Sequence, residues 1–303
     1  MDIAIKTQGL SKKYGSVLAV DNLSFEVGKG EIFGLVGPDG AGKTTTLRML
    51  STALSPDSGE ASIQGFNIVS QSSEVKLRIG YMPQMFSLYG DLTVEENIDF
   101  YADLYQVSPD IAAGKKKELL AFSNLESFKK RAADKLSGGM KKKLALACTL
   151  IHTPEVLILD EPTTGVDPLS RREFWRILYA LIPEVTIVIS TPYMDEAERC
   201  NRVGLIYDGH LILIDMPEKV LGKFKGEILE VKCERLQQAK KLLEDLPQIS
   251  GVQLIGDSLH IFLDSIENKK QMVGTFLSSK GIKVFSMKKI SPRLEDVFIS
   301  LLK

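Results

Sequence analysis

The sequence predicts an α/β protein: a parallel sheet covered by helices, followed by a small α+β domain. Three observations support this prediction. Apolar, β-branched runs alternate with helical patterns up to about residue 215, a glycine-rich loop joins one such run to a helix, and the order of elements changes after residue 226. Strands that alternate with helices are typical of a parallel sheet buried on both faces.

The composition is that of a globular protein with a real core. Of 303 residues, 44% are hydrophobic and 25% charged, and the net charge is −1, which excludes whole-molecule attraction to nucleic acid or anionic lipid. No segment approaches the roughly 18 apolar residues of a membrane span, and no secretory leader is evident, so a cytoplasmic protein is expected. Cys148, Cys200 and Cys233 fit no zinc spacing and are expected to be reduced, buried thiols.

The first 220 residues are predicted to alternate between strands and helices. Short β-rich runs occupy residues 1–36, and a helix follows the glycine-rich loop. Thr93 and Glu96 form a capping box, which predicts a helix through about Leu104. Residues 108–135 have the pattern of polar, lysine-rich helices. A helix, an apolar strand, a second helix and a second strand then complete the alternation.

The last part of the chain is predicted to form a separate, smaller domain. Its order of strand, helix, strand, strand, helix, strand is that of the ferredoxin-like split βαβ arrangement. Ser291 is expected to cap a final helix, with Pro292 in its first turn. We therefore predict two domains, residues 1–220 and 226–303.

A glycine-rich loop carries the strongest chemical signal. Residues 37–44, GPDGAGKT, match G-x-x-x-x-G-K-[ST] between a strand and a helix. Backbone amides can approach a phosphate there, Lys43 can bridge the terminal phosphates, and the Thr44 hydroxyl can ligand Mg²⁺. The loop alone fits GTPases, kinases and ATPases. Together with its neighbour Thr45, it supplies the predicted nucleotide-binding residues Gly37, Pro38, Asp39, Gly40, Ala41, Gly42, Lys43, Thr44 and Thr45.

Two carboxylates end a buried strand further along the chain. Asp160 and Glu161 follow the apolar run VLIL, and the carboxyl ends of parallel strands are where an open α/β sheet binds its ligand. We expect Asp160 to hold Mg²⁺ and Glu161 to accept a proton from an attacking water or to polarise it.

A second glycine pair, in LSGGM at residues 136–140, precedes a helix. Ser137, Gly138 and Gly139 can therefore present amides and a hydroxyl to a second phosphate. With this order of motifs, residues 1–225 resemble the ATP-binding subunits of ABC transporters, whose signature is LSGGQ. The resemblance implies a P-loop NTPase with the ATP-binding cassette fold: a core parallel sheet, an N-terminal antiparallel β subdomain and a helical subdomain carrying the signature.

The resemblance also assigns residues outside the loop. Tyr14 falls where the family's adenine-stacking aromatic lies. Gln84 matches the glutamine that reaches Mg²⁺ and couples to the membrane subunit. The Mg²⁺ ligands that follow are Thr44, Gln84 and Asp160, and the catalytic residues are Glu161 and Gln84.

The family's architecture implies a head-to-tail dimer that binds each ATP between the phosphate loop of one subunit and the signature of the other. Ser137, Gly138 and Gly139 would then contact the partner's ATP. Binding would close the dimer, hydrolysis would open it, and the motion would drive an integral membrane permease. This implies ATP and Mg²⁺ as cofactors, no nucleic acid partner, and a cytoplasmic location at the inner face of the cell membrane.

The tail and several motifs resemble one class within the family. Residues 291–302, SPRLEDVFISLL, look like the tail of bacterial exporter ATPases for drugs, polyketides or ions. The phosphate loop, residues 81–94 and the signature helix resemble a branch in which non-identical ATP-binding domains are paired. On sequence alone the tail is equally a structural appendix or a dimerisation aid. The cargo is not encoded here, because the permease contacts it.

One position departs from the family's pattern. In the family, the strand after the acidic one ends in Ser/Thr-Thr-His. This chain has Ser-Thr-Pro, with Pro192 in place of the histidine that touches the γ-phosphate in the family. Proline has no backbone donor and a fixed φ. His152, His210 and His260 lie elsewhere in the pattern. Loss of a hydrogen bond to a charged group costs about 1.5–3 kcal/mol, or roughly 10- to 150-fold in rate.

These departures predict an ATPase with an impaired site of its own, paired with a second ATP-binding subunit. Asp39 in place of asparagine and Met140 in place of glutamine point weakly the same way, whereas Glu161 argues against full degeneracy. One alternative is a non-catalytic subunit that lends LSGGM to an active partner. Another, a soluble relative acting on ribosomes or DNA, is disfavoured by the single ATP-binding domain and the balanced charge.

An aromatic-rich stretch follows Gln84. In the family this region forms the groove that receives a cytoplasmic helix of the permease, and the predicted lining residues are Met85, Phe86, Leu88 and Tyr89. Ordinary packing between subdomains is the alternative. The lysine runs at residues 115–117 and 141–143 are predicted to lie on solvated helix faces.

Overall fold

The computed structural model describes residues 2–85, 88–267 and 269–302. They divide after Pro217 into two compact units, called here the N-terminal unit and the C-terminal unit. Within the described ranges, no helix is both long and apolar enough to span a bilayer. The three cysteines are free and buried, as their spacing predicts.

The N-terminal unit combines two sheets with helices. Its strands are β1 (Ile3–Tyr14), β2 (Val17–Gly28), β3 (Ile32–Val36), β4 (Ser58–Ile63), β5 (Phe66–Asn67), β6 (Ile79–Met82), β7 (Val156–Asp160), β8 (Thr186–Thr191), β9 (Arg202–Tyr207) and β10 (His210–Asp215). Its helices are α1 (Lys43–Leu50), α2 (Ser72–Arg78), α3 (Val94–Leu104), α4 (Pro109–Phe122), α5 (Gly138–Leu150), α6 (Pro168–Leu181) and α7 (Met194–Ala197). Short 3₁₀ turns at Glu126–Phe128 and Ala133–Lys135 precede α5.

The larger sheet has the order β10-β9-β3-β8-β7-β6, and all its pairs are parallel except the one between β10 and β9. Strands β3, β7 and β8 are buried along their whole length, which explains their continuous apolar runs. The second sheet, β2-β1-β4-β5, is antiparallel. The predicted α/β fold with an N-terminal antiparallel sheet is therefore confirmed.

Strand register brings three chain segments to one edge of the larger sheet. Asp160 pairs with Ser190 across β7 and β8, and Leu35 pairs with the same Ser190 across β3 and β8. The residues that follow these three parallel strands therefore lie side by side at their carboxyl ends, the edge where α/β sheets bind ligands.

The capping box before α3 forms as predicted. The Thr93 amide donates to Glu96 Oε2 at 2.7 Å, and the Glu96 amide donates to Thr93 Oγ1 at 3.3 Å. Each side chain thereby satisfies a backbone donor that the first helical turn leaves free. The helix ends at Leu104, the residue that the pattern predicts.

The C-terminal unit is a four-stranded antiparallel sheet with helices. A short helix, α8 (Pro217–Leu221), spans the boundary, and the elements that follow are β11 (Glu227–Cys233), α9 (Leu236–Glu244), β12 (Gly251–Ile255), β13 (Ser258–Leu263), α10 (Lys269–Ser279), β14 (Val284–Ile290) and α11 (Leu294–Leu301). The strand order is β12-β13-β11-β14. Strands β11 and β12 therefore run parallel with β13 between them, which is a split βαβ arrangement.

The final helix begins later than predicted. Its N-cap is Arg293, and the prediction that Ser291 caps it is wrong. The Arg293 amide donates to Asp296 Oδ2 at 2.8 Å, so a carboxylate three residues into the helix supplies the acceptor that a serine cap would otherwise supply.

Candidate functional site

The glycine-rich loop joins β3 to α1 and forms part of a cleft of about 380 Å³. Gly42 has φ 101°, and a Cβ there would lie 2.4 Å from the carbonyl oxygen of Ala19. Only glycine fits this position, for both reasons. Helix α1 begins at the next residue, Lys43, so the unpaired amides of its first turn face the loop.

Lys43 is buried at the centre of this loop, with 3% of its side chain exposed. Its ammonium donates to the carbonyl oxygens of Gly37 at 2.9 Å and Pro38 at 3.0 Å, and lies 3.3 Å from Glu161 Oε1. A buried ammonium is tolerated only when it is paired in this way. The loop therefore holds a fixed positive charge beside the carboxylate that follows β7.

Asp160 lies at the end of β7 between two hydroxyl groups. Thr44 Oγ1 donates to Asp160 Oδ1 at 3.0 Å, and Ser190 Oγ donates to the same oxygen at 2.7 Å. Burial raises the pKa of Asp160, and these two hydrogen bonds oppose that shift. A threonine hydroxyl beside a carboxylate is the kind of oxygen pair that binds Mg²⁺ together with phosphate oxygens.

Glu161 adopts a strained backbone conformation, with φ 45°, which a residue other than glycine rarely adopts. Its amide donates to Ser190 Oγ at 2.9 Å. Its carboxylate accepts from Gln84 Nε2 at 3.0 Å and from Thr164 Oγ1 at 3.3 Å. These bonds hold the carboxylate in the cleft, where it can accept a proton.

The residues that line the cleft are Tyr14, Ala19, Asp39, Gly40, Gly42, Lys43, Thr44, Thr45, Gln84 and Glu161. Tyr14 ends β1 and is half exposed. Ala41 is buried, and its carbonyl accepts from the Gly209 amide at 3.1 Å. Of the three predicted Mg²⁺ ligands, Thr44 and Gln84 line this cleft and Asp160 accepts from Thr44, while the Gln84 side-chain amide donates to Glu161.

The signature residues form the start of α5 and are not among the residues lining this cleft. Ser137 caps the helix by accepting from the Met140 amide at 3.3 Å. A Cβ on Gly139 would lie 2.5 Å from the side chain of Ser170, so close helix packing requires that glycine. Gly138 is different, because a Cβ there would meet no atom closer than 3.9 Å. Gly138 instead lines a depression beside α5.

Pro192 follows β8 directly, beside the acidic strand end. The hydroxyl before it, on Thr191, donates to Glu196 Oε2 at 2.7 Å. Thr163 also donates to this buried carboxylate, and Arg171 Nε lies 3.5 Å from it. The polar groups of this segment therefore bind Glu196 and leave a proline at the edge of the sheet.

None of the three histidines is among the described residues that line the cleft. His152 stacks on Tyr105 with ring centroids 3.8 Å apart and contacts the carbonyl of Ile79, which is at the opposite end of the sheet. His210 lies 3.7 Å from Asp21. His260 belongs to the C-terminal unit.

Lys143 of the signature helix is buried, so the prediction of a solvated face for residues 141–143 is wrong for it, and Lys142 is half-buried. Lys143 is 8% exposed and binds Glu173 at 2.8 Å. Lys142 donates to the backbone oxygen of Gln84 at 3.0 Å. Lys142 lies four residues after Gly138, which puts both on one face of α5. That spacing is the only sequence signal for this contact, and sequence reasoning missed it.

The residues predicted to line a permease groove have different surroundings. Met85 and Leu88 line a second depression of about 410 Å³ beside α5, and Met85 is 88% exposed. Tyr89 instead packs on Phe100, with ring centroids 4.5 Å apart. Phe86 lies outside the described residues.

Comparison with known proteins agrees with this geometry. A family model described as ABC transporter matches residues 20–164. Nod factor export ATP-binding protein I of Burkholderia pseudomallei is 36% identical over 300 residues, a match that covers 98% of this chain and 96% of that protein. This chain belongs to the ABC transporter family.

Two further ABC relatives extend the comparison. A probable multidrug ABC transporter ATP-binding protein of Escherichia coli is 41% identical over 310 residues, covering 99% of this chain and 52% of that protein. The chain thus spans about half the length of the first curated relatives it matches. The dimeric ATP-binding cassette MJ0796, solved in a post-hydrolysis state with ADP and Pi, has a TM-score of 0.63 and 26% identity and covers 70% of this chain and 98% of its own.

Proposed function

We propose that this chain is the ATP-binding and ATP-hydrolysing subunit of an ABC exporter. The observation that carries the proposal is the meeting of Lys43, the Thr44–Asp160 pair and Glu161 in one cleft at the carboxyl ends of parallel strands. Relatives named for multidrug transport and for Nod factor export support the exporter class. The chain would work on the cytoplasmic face of a membrane, with an integral membrane permease as its partner.

The residues of the cleft would divide the work on ATP. The loop amides and Lys43 bind the phosphates and offset their charge. Tyr14 stacks on the adenine at the mouth of the cleft. Glu161 accepts a proton from the attacking water or polarises it, held in place by Gln84 and Thr164. Mg²⁺, when bound, would be held by Thr44, Asp160 and the side-chain oxygen of Gln84, whose amide nitrogen donates to Glu161, and would neutralise phosphate charge.

The signature would serve a second subunit. Ser137, Gly138 and Gly139 are not among the described residues that line this chain's own cleft, and a Cβ on Gly138 would meet no atom closer than 3.9 Å. An anion fits there. The solved MJ0796 cassette is dimeric, which supports a dimer in which this surface contacts the partner's ATP.

The site would hydrolyse ATP slowly. Pro192 occupies the end of β8, where it offers no donor to a γ-phosphate. Its neighbour Thr191 is bound to Glu196. We propose that a second, non-identical ATP-binding subunit supplies the faster site. The same proline favours one other function: a non-catalytic partner that binds ATP and lends its signature to an active subunit.

Single-turnover ATP hydrolysis by the purified chain tests both functions. Pro192→His should raise the rate about tenfold or more. Glu161→Gln should stop hydrolysis, and Pro109→His, an exposed proline that starts α4, should change nothing.

A fast wild type that Glu161→Gln stops would show that another group does the histidine's work, and the impaired site would be wrong. ATP binding without hydrolysis in either the wild type or Pro192→His would favour the non-catalytic partner. An absence of ATP binding would overturn the function as a whole.

A further inference from the structure

Lys142 connects two parts of the site that are otherwise separate. It lies one turn into the signature helix, whose first residues are not among the described residues that line this chain's own cleft. Its ammonium donates to the carbonyl oxygen of Gln84 at 3.0 Å, and Gln84 lines the cleft. The signature helix therefore contacts the cleft wall through the side chain of Lys142.

The adjacent lysine has a different kind of partner. Lys143 binds the Glu173 carboxylate at 2.8 Å, an ion pair that fastens α5 to α6. Lys142 donates to a loop carbonyl instead. Its half-buried ammonium also lies in the field of Asp160 and Glu161, which raise its pKa while burial, the larger effect, lowers it.

Gln84 continues the connection to the catalytic carboxylate. Its side-chain amide donates to Glu161 Oε2 at 3.0 Å, and Glu161 Oε1 lies 3.3 Å from Lys43 Nζ. A continuous series of charged or hydrogen-bonded contacts thus runs from α5 through Lys142, Gln84 and Glu161 to Lys43. A small displacement of α5 relative to Gln84 would lengthen the hydrogen bond between Lys142 Nζ and the Gln84 carbonyl oxygen.

We infer that Lys142 is a positioning residue for hydrolysis, which holds Gln84 against Glu161 and makes this carboxylate respond to the position of the signature helix. The inference rests on the proposed ATPase function and adds a regulation of the same site. Occupancy of the signature by a partner's nucleotide would move α5, and Lys142 would pass the movement to Gln84. The effect on chemistry is indirect, since Lys142 need not touch the nucleotide.

Three variants of the full chain separate positioning from a merely structural role. Lys142→Met removes the donor and keeps the length of the side chain. It should lower the single-turnover hydrolysis rate about tenfold, with ATP affinity changed less than about twofold. Lys142→Arg keeps a donor and should retain most of the rate. Lys141→Met, the matched control one residue earlier, should match the wild type.

A double-mutant cycle with Gln84→Ala tests the path. Since Lys142 acts through Gln84, adding Lys142→Met to Gln84→Ala should lower the rate no further. Additive losses would overturn the inference, and so would a Lys142→Met variant whose rate equals that of the wild type. Equal losses in affinity and rate would also overturn it, because they would indicate a general disturbance of the cleft.

Hydrogen exchange gives a readout that does not depend on hydrolysis. The backbone amides of Met82, Gln84 and Met85 should lose protection in Lys142→Met, and not in Lys142→Arg or Lys141→Met. If the wild type binds no ATP or hydrolyses none, the proposed function fails, yet this comparison still decides whether Lys142 holds the Gln84 loop. Unchanged protection in Lys142→Met would overturn the inference even in an active ATPase.

Discussion

The ends of β7 and β8 differ although the two strands are neighbours in register. Asp160 pairs with Ser190, so both strands reach the same edge of the sheet at the same level. At the end of β7, the Asp160 carboxylate accepts from Thr44, and the next residue, Glu161, lines the cleft. After β8 comes Pro192, and the hydroxyl before it binds a buried glutamate outside the cleft.

The comparison teaches that neighbouring strands can end in different chemistry, since the β7 end brings a carboxylate into the cleft and the β8 end contributes no side chain to its described lining. Ser190 still supports β7, through bonds to the Asp160 carboxylate and the Glu161 amide. Strand β8 therefore supports the end of β7 through Ser190, although Thr191 and Pro192 are not among the described residues that line the cleft. Four predictions follow from this contrast, from the largest effect to the smallest.

Removing the acceptor at the β7 end should have the largest effect. Glu161→Gln keeps the shape and removes the charge, so hydrolysis should fall about 10²- to 10⁴-fold while ATP binding persists. Glu155→Gln, at the amino end of the same strand and half exposed, is the matched control. A hydrolysis rate in Glu161→Gln within a few-fold of the wild type would show that the two strand ends do not differ in the way described.

Removing the buried glutamate behind the β8 end should affect folding and not chemistry. Glu196→Ala leaves the Thr191 and Thr163 hydroxyls without their buried acceptor and removes the carboxylate that is paired with Arg171, so the free energy of unfolding should fall by about 3 kcal/mol. Urea unfolding measures it, with the exposed Glu198→Ala as control. A loss below about 0.5 kcal/mol would mean that this network does not hold the segment.

Asp160→Asn should raise the stability of the nucleotide-free protein, although it removes a carboxylate of the candidate site. Burial raises the pKa of Asp160 above its ordinary value of 3.8. The unfolded chain therefore loses this proton at lower pH, and stability falls as the pH rises from about 3.8 through the folded pKa. At pH 7 the asparagine should raise the Tm of the nucleotide-free protein by about 2 °C, and the gain should shrink toward pH 4.

The control for this change is Asp57→Asn. Lys12 holds the pKa of Asp57 below its ordinary value, so the sign is reversed and the Tm should not rise. A lower Tm in Asp160→Asn would show that the charged carboxylate stabilises the empty cleft.

The smallest effect should come from the loop. Asp39 lines the cleft, where its charge opposes an incoming phosphate. Asp39→Asn should tighten ATP binding about two- to fivefold, measured by titration at low salt, and the gain should fade as salt is added. Asp110→Asn, remote at the start of α4, should have no effect, and weaker binding in Asp39→Asn would show that the aspartate contributes an acceptor.

Local patterns predicted much of this molecule. The capping box of Thr93 and Glu96 depends on groups three residues apart, and it forms as expected. The apolar runs of β3, β7 and β8 are fully buried in parallel pairs. Ser291 shows the limit of such local patterns. The helix begins after Arg293 and not after Ser291, because the Asp296 carboxylate accepts from the Arg293 amide.

By itself, the sequence determined the elements, the phosphate loop, the acidic strand end and the absence of a histidine at position 192, since each depends on neighbours within a few residues. Only the tertiary structure decided which side chains meet. Lys142 and Lys143 are equal in sequence, yet one donates to Gln84 and the other to Glu173, because successive positions on a helix point 100° apart. Burial and partner are properties of the packed helix, and a lysine run cannot specify them.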